Sequence, residues 1–173
     1  GAVLFGNTVE AFWRSFWAAF VVFPAFALLL MLRSAHAEIA VGPFWAFFIQ
    51  TTGYVMGWVA FPYVMFHVTR LFDRHAFYFR FIAAYNWAVV LQIALMLTVT
   101  ALAASGFLPG SLGILLTAGA VIAILIYQGF IALVMLEVPA IGAVGIVVID
   151  LVLSLFLQSW TDRLLAGQPV IGG

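Results

Sequence analysis

Five apolar stretches, joined by connections too short to hold a domain, leave this chain few folds to choose from. A helix needs about 20 apolar residues to cross roughly 30 Å of hydrocarbon. Residues 12–32, 44–67, 82–105, 112–136 and 141–160 each meet that length, with "RSAHAEIAVGP", "VTRLFDRHAFYFR", "SGFLPG" and "EVPA" between them. The expected fold is an all-α, polytopic membrane bundle of five transmembrane helices, forming a single domain over residues 1–173. Composition agrees, being 67% hydrophobic and 7% charged with a mean hydropathy of +1.25, against about a quarter charged in soluble domains.

Charge decides what such a bundle can meet and which way it faces. The net charge is zero and the basic residues gather only as Arg70, Arg74 and Arg80 in one loop, so no nucleic-acid partner is expected. Without cysteine there is no disulfide, thiolate metal site or thiol nucleophile. All six basic residues are arginine, which points to a GC-rich bacterial genome and places the chain in a bacterial inner membrane. Cytoplasmic loops carry the arginine excess, so the loop holding Arg70, Arg74 and Arg80 is placed inside. The N-terminus with Arg14 is then cytoplasmic and the C-terminus external, with Arg33 and Arg163 outside. Ala35-x-Ala37 has signal-peptidase spacing, but Arg33 interrupts the apolar run just before it, so the first stretch is read as a retained helix. The chain opens on Gly1, not Met, and a preceding native segment is expected.

The last stretch, "IGAVGIVVIDLVLSLFLQSW", carries an acid in its middle. A carboxylate at a helix centre costs about 2.5–3.5 kcal/mol on insertion scales, so Asp150 needs a reason to be there. At about 1.5 Å per helical residue, Asp150 lies some 15 Å from the boundary near Ala140. Gln128 lies about 13 Å from the boundary near Glu137, and Gln92 about 18 Å from Arg80. Three polar side chains on three helices therefore reach the bilayer midplane, where one layer could satisfy all three. On the fifth stretch Asp150, Ser154, Gln158 and Asp162 follow at steps of four, one polar stripe on one face. Tyr85 and Gln92, seven apart, share a face of the third, with Asn86 adjoining. Gly53 and Gly57 in the second stretch, with Gly142 and Gly145 in the fifth, are small residues of the kind that let helix backbones approach.

No arginine lies at the depth of Asp150, so a neutral or water-contacting carboxyl is expected. Three roles stay open. It could be an interhelical clamp worth about 0.6–2 kcal/mol, a proton- or ion-handling site reached from outside along Ser154 and Gln158, or a contact to a partner subunit that supplies the missing cation. Glu137 is expected to meet the arginines of the second loop at the cytoplasmic interface. That loop also holds His67, Asp73 and His75, whose spacing matches no metal-ligand motif, and it reads as an interfacial segment with arginines toward headgroups. Pro24 and Pro62 should kink their helices. The sequence has no phosphate-binding glycine loop, no Ser-His-Asp order and no His-Glu-x-x-His. No catalytic residue, metal or cofactor is expected.

The stretches "FIAAYNWAVVLQIAL" and "IYQGFIALVMLEVPAIGAVGIVVIDLVL", over about residues 80–160, are hydropathy patterns that resemble the Yip family (Ypt-interacting proteins) and its bacterial relatives. The resemblance implies a small multi-helix membrane protein that acts through other membrane proteins and performs no catalysis of its own. It transfers no functional residue. The expected function is a non-enzymatic scaffold or accessory subunit of a membrane assembly, working through polar and small-residue helix faces. The alternative is a small transporter or channel that uses Asp150. The expected partners are the lipid bilayer and a second copy of the chain or another membrane protein, with room for a bound lipid among the aromatic-rich helices.

Overall fold

Helices make up the regular structure of the computed structural model, which describes residues 7–34 and 40–167. The Thr8 side chain accepts a hydrogen bond from the Ala11 N–H at 3.1 Å and starts α1, Val9–Ser15. A tightened turn follows, in which the Phe16 N–H reaches the Trp13 carbonyl at 3.2 Å, and α2 runs over Trp17–Ser34. The first apolar stretch is therefore two helices divided at Phe16. Pro43 opens α3, Pro43–Leu71, at a position where its missing N–H is no loss. A 3-10 turn at His75–Phe77 leads into α4, Tyr78–Ala104, then α5, Gly110–Leu136, and α6, Ala140–Leu165. Helix ends overrun the apolar limits; in α6 the helix continues past Trp160 to Leu165, with the Thr161 hydroxyl bonded to the Leu157 carbonyl at 2.8 Å. Gly1 and the Ala35-x-Ala37 spacing lie outside the described residues.

Among the described residues, four helical stretches are long and apolar enough to cross a membrane: Val9–Met31, His75–Ala104, Gly110–Leu136 and Ala140–Leu165. The bundle is thus compatible with a multi-pass membrane protein. Its outward faces agree, since Phe20, Phe44, Ile114 and Ile141 are all more than 70% exposed, a surface that water tolerates poorly. α3 has the length, 29 residues, but Gln50, Thr51 and Thr52 dilute its apolar character.

α4 is the central helix, packed against α1, α2 and α5, while α6 lies against α3 and α5. Tight packing is concentrated at the end where α3 finishes and α4 begins. There Phe61 and Met65 meet Phe81, Ile82, Ala132 and Leu136, all at most 3% exposed. The helices run through Pro24 and Pro62, each of which withdraws a backbone donor. Two tyrosine hydroxyls bond backbone carbonyls of these helices: Tyr54 donates to Ala19 in α2, and Tyr78 to Pro62 itself at 2.9 Å.

The same end is tied by Arg80. Its Nε and Nη2 donate to the Met135 carbonyl at 3.0 and 2.6 Å, covering a free carbonyl in the last turn of α5. Nη2 also meets Glu137 Oε1 at 3.0 Å, and the guanidinium lies 4.6 Å over the Phe77 ring. Of the three loop arginines expected at Glu137, Arg80 alone pairs with it. Arg70 lies over the Phe66 ring at 5.0 Å, and Arg74 bonds the Thr69 carbonyl through its backbone N–H at 2.7 Å. Glu137 itself ends α5 in the left-handed region, at φ 53°.

The four glycines sit in unlike places. A Cβ on Gly53 would stand 2.8 Å from Thr161 Oγ1, so α3 and α6 approach closely there. One on Gly142 would meet its own preceding turn at Val138, 3.3 Å away, and Gly57 and Gly145 have nothing within 4 Å. Gly53→Ala should therefore lower stability in detergent by about 1–3 kcal/mol through overpacking, with Thr161→Ala in the same chain restoring part of it and Gly57→Ala close to neutral. A thermal melt reads all three. Arg80→Ala should cost about 1.5–3 kcal/mol, and Arg80→Lys should recover only part, because an ammonium keeps the charge and loses the fork.

Candidate functional site: a polar cavity ending at Asp150

Asp150 lies ten residues into α6, about 15 Å along the helix, and is 7% exposed. Both carboxyl oxygens are used. Oδ1 accepts from the Tyr85 hydroxyl of α4 at 2.6 Å, and Oδ2 from Gln128 Nε2 of α5 at 2.8 Å. Gln92 Oε1 stands 3.5 Å from the same Gln128 nitrogen, the limit of a hydrogen bond. The structure thus brings Asp150, Gln128 and Gln92 into one layer across three helices, with Tyr85 as the strongest link.

The layer is not self-sufficient. Gln92 Nε2 and Gln128 Oε1 are buried without partners. An amide's oxygen and nitrogen can exchange places by rotation, and this gives Gln128 two uses. With its nitrogen toward Asp150 it serves a charged carboxyl; with its oxygen there it would accept from a protonated one. Among the described residues the ion pairs are Arg14 with Glu10 and Arg80 with Glu137. Neither involves Asp150, whose carboxyl is met by neutral partners alone.

Asp150 is one of the residues lining a cavity of about 780 Å³ formed by α2, α3, α4, α5 and α6. Ser154 and Gln158, exposed on successive turns of α6, continue its wall away from Asp150. Aromatic rings supply much of the rest. Phe26 of α2 lies 4.5 Å from Tyr54 of α3, Trp58 follows one turn on, and Phe61 stacks on Tyr85 at 4.1 Å. Gly57 faces the open space, where its lack of a side chain widens the cavity.

Several polar groups in the wall are already paired. Asn86 Nδ2 donates to Ser15 Oγ at 2.9 Å, in a buried contact between α4 and α1. Sequence reasoning did not single out Ser15, because a serine near the start of an apolar run carries no period of its own. Tyr54 went unmarked for a similar reason: an aromatic in a membrane helix reads as packing. Both are visible in retrospect only through their partners. Elsewhere, among the described residues, no three His, Cys, Asp or Glu side chains come together to hold a metal ion; His67 packs edge-on against Tyr63 and Phe66.

A buried carboxyl with two neutral donors, an amide that can serve either protonation state, and an adjoining cavity can exchange a proton or hold a cation. Gln128→Leu removes a direct donor to the carboxyl and should cost about 1–3 kcal/mol in a detergent melt. Gln92→Leu, losing only the 3.5 Å contact, should cost less; the reverse order would contradict this hierarchy.

Comparison with family models, curated proteins and solved structures finds no match to this chain, so nothing from a characterised protein bears on its likeness to the Yip family.

Proposed function

We propose that this chain is a non-enzymatic, multi-pass protein of a bacterial inner membrane that carries a proton or a small ligand to and from Asp150, as a small transporter. One observation carries this reading. Asp150 is one of the residues lining a cavity, where a clamp that only joined helices would be enclosed by them. α3 serves as a fifth span, because it is long enough and packs against α6, itself a candidate span. The N-terminus is cytoplasmic and the C-terminus external, by the arginine excess of the second loop. The cavity then opens toward the exterior half, and the tightly packed end at Phe61, Met65, Phe81 and Ile82 closes it from the cytoplasm. A pathway closed at one end favours alternating exposure over an open channel.

A second reading, a scaffold or accessory subunit, is favoured by a different observation. Gln158 and Asp162 are exposed along α6, and Gly57 and Gly145 face empty space, which a helix of a partner or a second copy could cover. Flux separates the two. With the chain reconstituted in liposomes and a pH-sensitive dye inside, wild-type protein should pass protons under an imposed gradient, and Asp150→Asn should fall to the rate of protein-free liposomes. Equal flux in both proteins, or none in either, would favour the scaffold.

A further inference from the structure

We infer that the cavity beside Asp150 takes an organic cation, which exchanges with a proton at that carboxyl. This rests on the reading of Asp150 as an exchangeable site and names what is exchanged.

The cavity's chemistry is selective. Its volume, about 780 Å³, suits a drug-sized molecule, since ligand sites span roughly 300–1,000 Å³. Of the polar groups of the lining, Gln50, Ser154 and Gln158 make no side-chain hydrogen bond among the described residues, while four others are bonded within the protein. Tyr54 is bonded to the Ala19 carbonyl, Asn86 to Ser15, Thr161 to Leu157, and Tyr85 to Asp150 itself. The two unpartnered amide atoms are sealed inside the wall. An anion would meet Asp150 inside and Asp162 farther along α6, with no cationic side chain among the described residues lining the cavity. A lipid tail would have to lie against two carboxyl groups and the amides of Gln50, Asn86, Gln92, Gln128 and Gln158. What the lining adds to these is a carboxyl in a poorly solvated place, with no cationic side chain among the described residues beside it, and a set of aromatic faces, and both favour a cation. Trp58, the best of the side chains for that purpose, is in the wall with Tyr54 and Phe26.

The exchange balances. A bound monocation supplies the one positive charge that the carboxylate lacks; a proton on the carboxyl supplies the same charge. The two therefore compete, and Gln128 can turn its amide to suit either state. Lower pH should weaken cation binding, because protonation removes the charge the cation pairs with.

Radiolabelled tetraphenylphosphonium bound to the full chain in neutral detergent tests this, with tetraphenylborate, of the same shape and opposite charge, in parallel. The wild-type protein should bind the cation saturably and the anion not at all. Binding should weaken as pH falls, weaken by at least about tenfold in Asp150→Asn, a difference of 1.4 kcal/mol, and persist in Asp73→Asn, whose exposed acid lies outside the cavity. No saturable binding, equal binding of both ions, or binding indifferent to pH would overturn the inference, and these three outcomes need no variant to fold. Binding that persists undiminished in a folded Asp150→Asn would overturn it too. Loss of proton flux in Asp150→Asn without any tetraphenylphosphonium binding would sink the cation and spare the transporter. Cation binding through Asp150 without proton flux would do the opposite.

Discussion

A carboxyl group half-way along an apolar helix must be answered by something, and in this chain the answer organises the bundle. Tyr85 and Gln128 bring α4 and α5 to α6 at one level, through hydrogen bonds of 2.6 and 2.8 Å. Water is absent from a bilayer core, so an unanswered acid there is expensive. The arrangement of three helices around Asp150 follows from that expense. Neither donor carries a charge, so an ionised Asp150 would have no counter-charge among the described residues, and the proposed exchange rests on that imbalance.

The two ends of the bundle are built differently, and the difference suits such a site. On one side of the Asp150 layer, large side chains interlock around α4, and Arg80 fastens the end of α5 to its start. On the other, α3 departs from α2 and α4 while staying close to α6 at Gly53, and the space left is the cavity. Rigid packing on one side of the polar layer backs Tyr85 and Gln128, and looser packing on the other leaves the space that the proposed ligand would enter. Tyr54 ties this looser side to α2 through the Ala19 carbonyl.

Much of this was legible in the residues, and the rest was hidden for identifiable reasons. Long apolar runs announce membrane-compatible helices because hydrophobicity is additive along a sequence, and the depth of Asp150, Gln128 and Gln92 follows from the constant rise of a helix. Tyr85 was placed on the right face, yet its role as the shortest link to Asp150 needed the side-chain reach that only three dimensions supply. The break at Phe16 was invisible because hydropathy is the same on both sides of it. Small residues misled in the other direction. Gly57 and Gly53 look alike in sequence, but of the two only Gly53 lies at a helix contact, since a four-residue step on a 3.6-residue helix turns the face by about 40°. The cavity itself left no local signature: it is a gap between elements, assembled from residues of five helices.

Whether Asp150 communicates with the cavity can be measured without any ligand. Infrared difference spectra between acidic and alkaline buffer, for wild-type protein and for Asp150→Asn, isolate the carbonyl stretch of this one carboxyl group. If the group faces the cavity, that band appears and disappears with buffer pH, shifts promptly on transfer into heavy water, and is missing from the variant. A band that ignores both the pH and the solvent isotope would mean a sealed carboxyl that only joins helices, and the transport reading would fall with it.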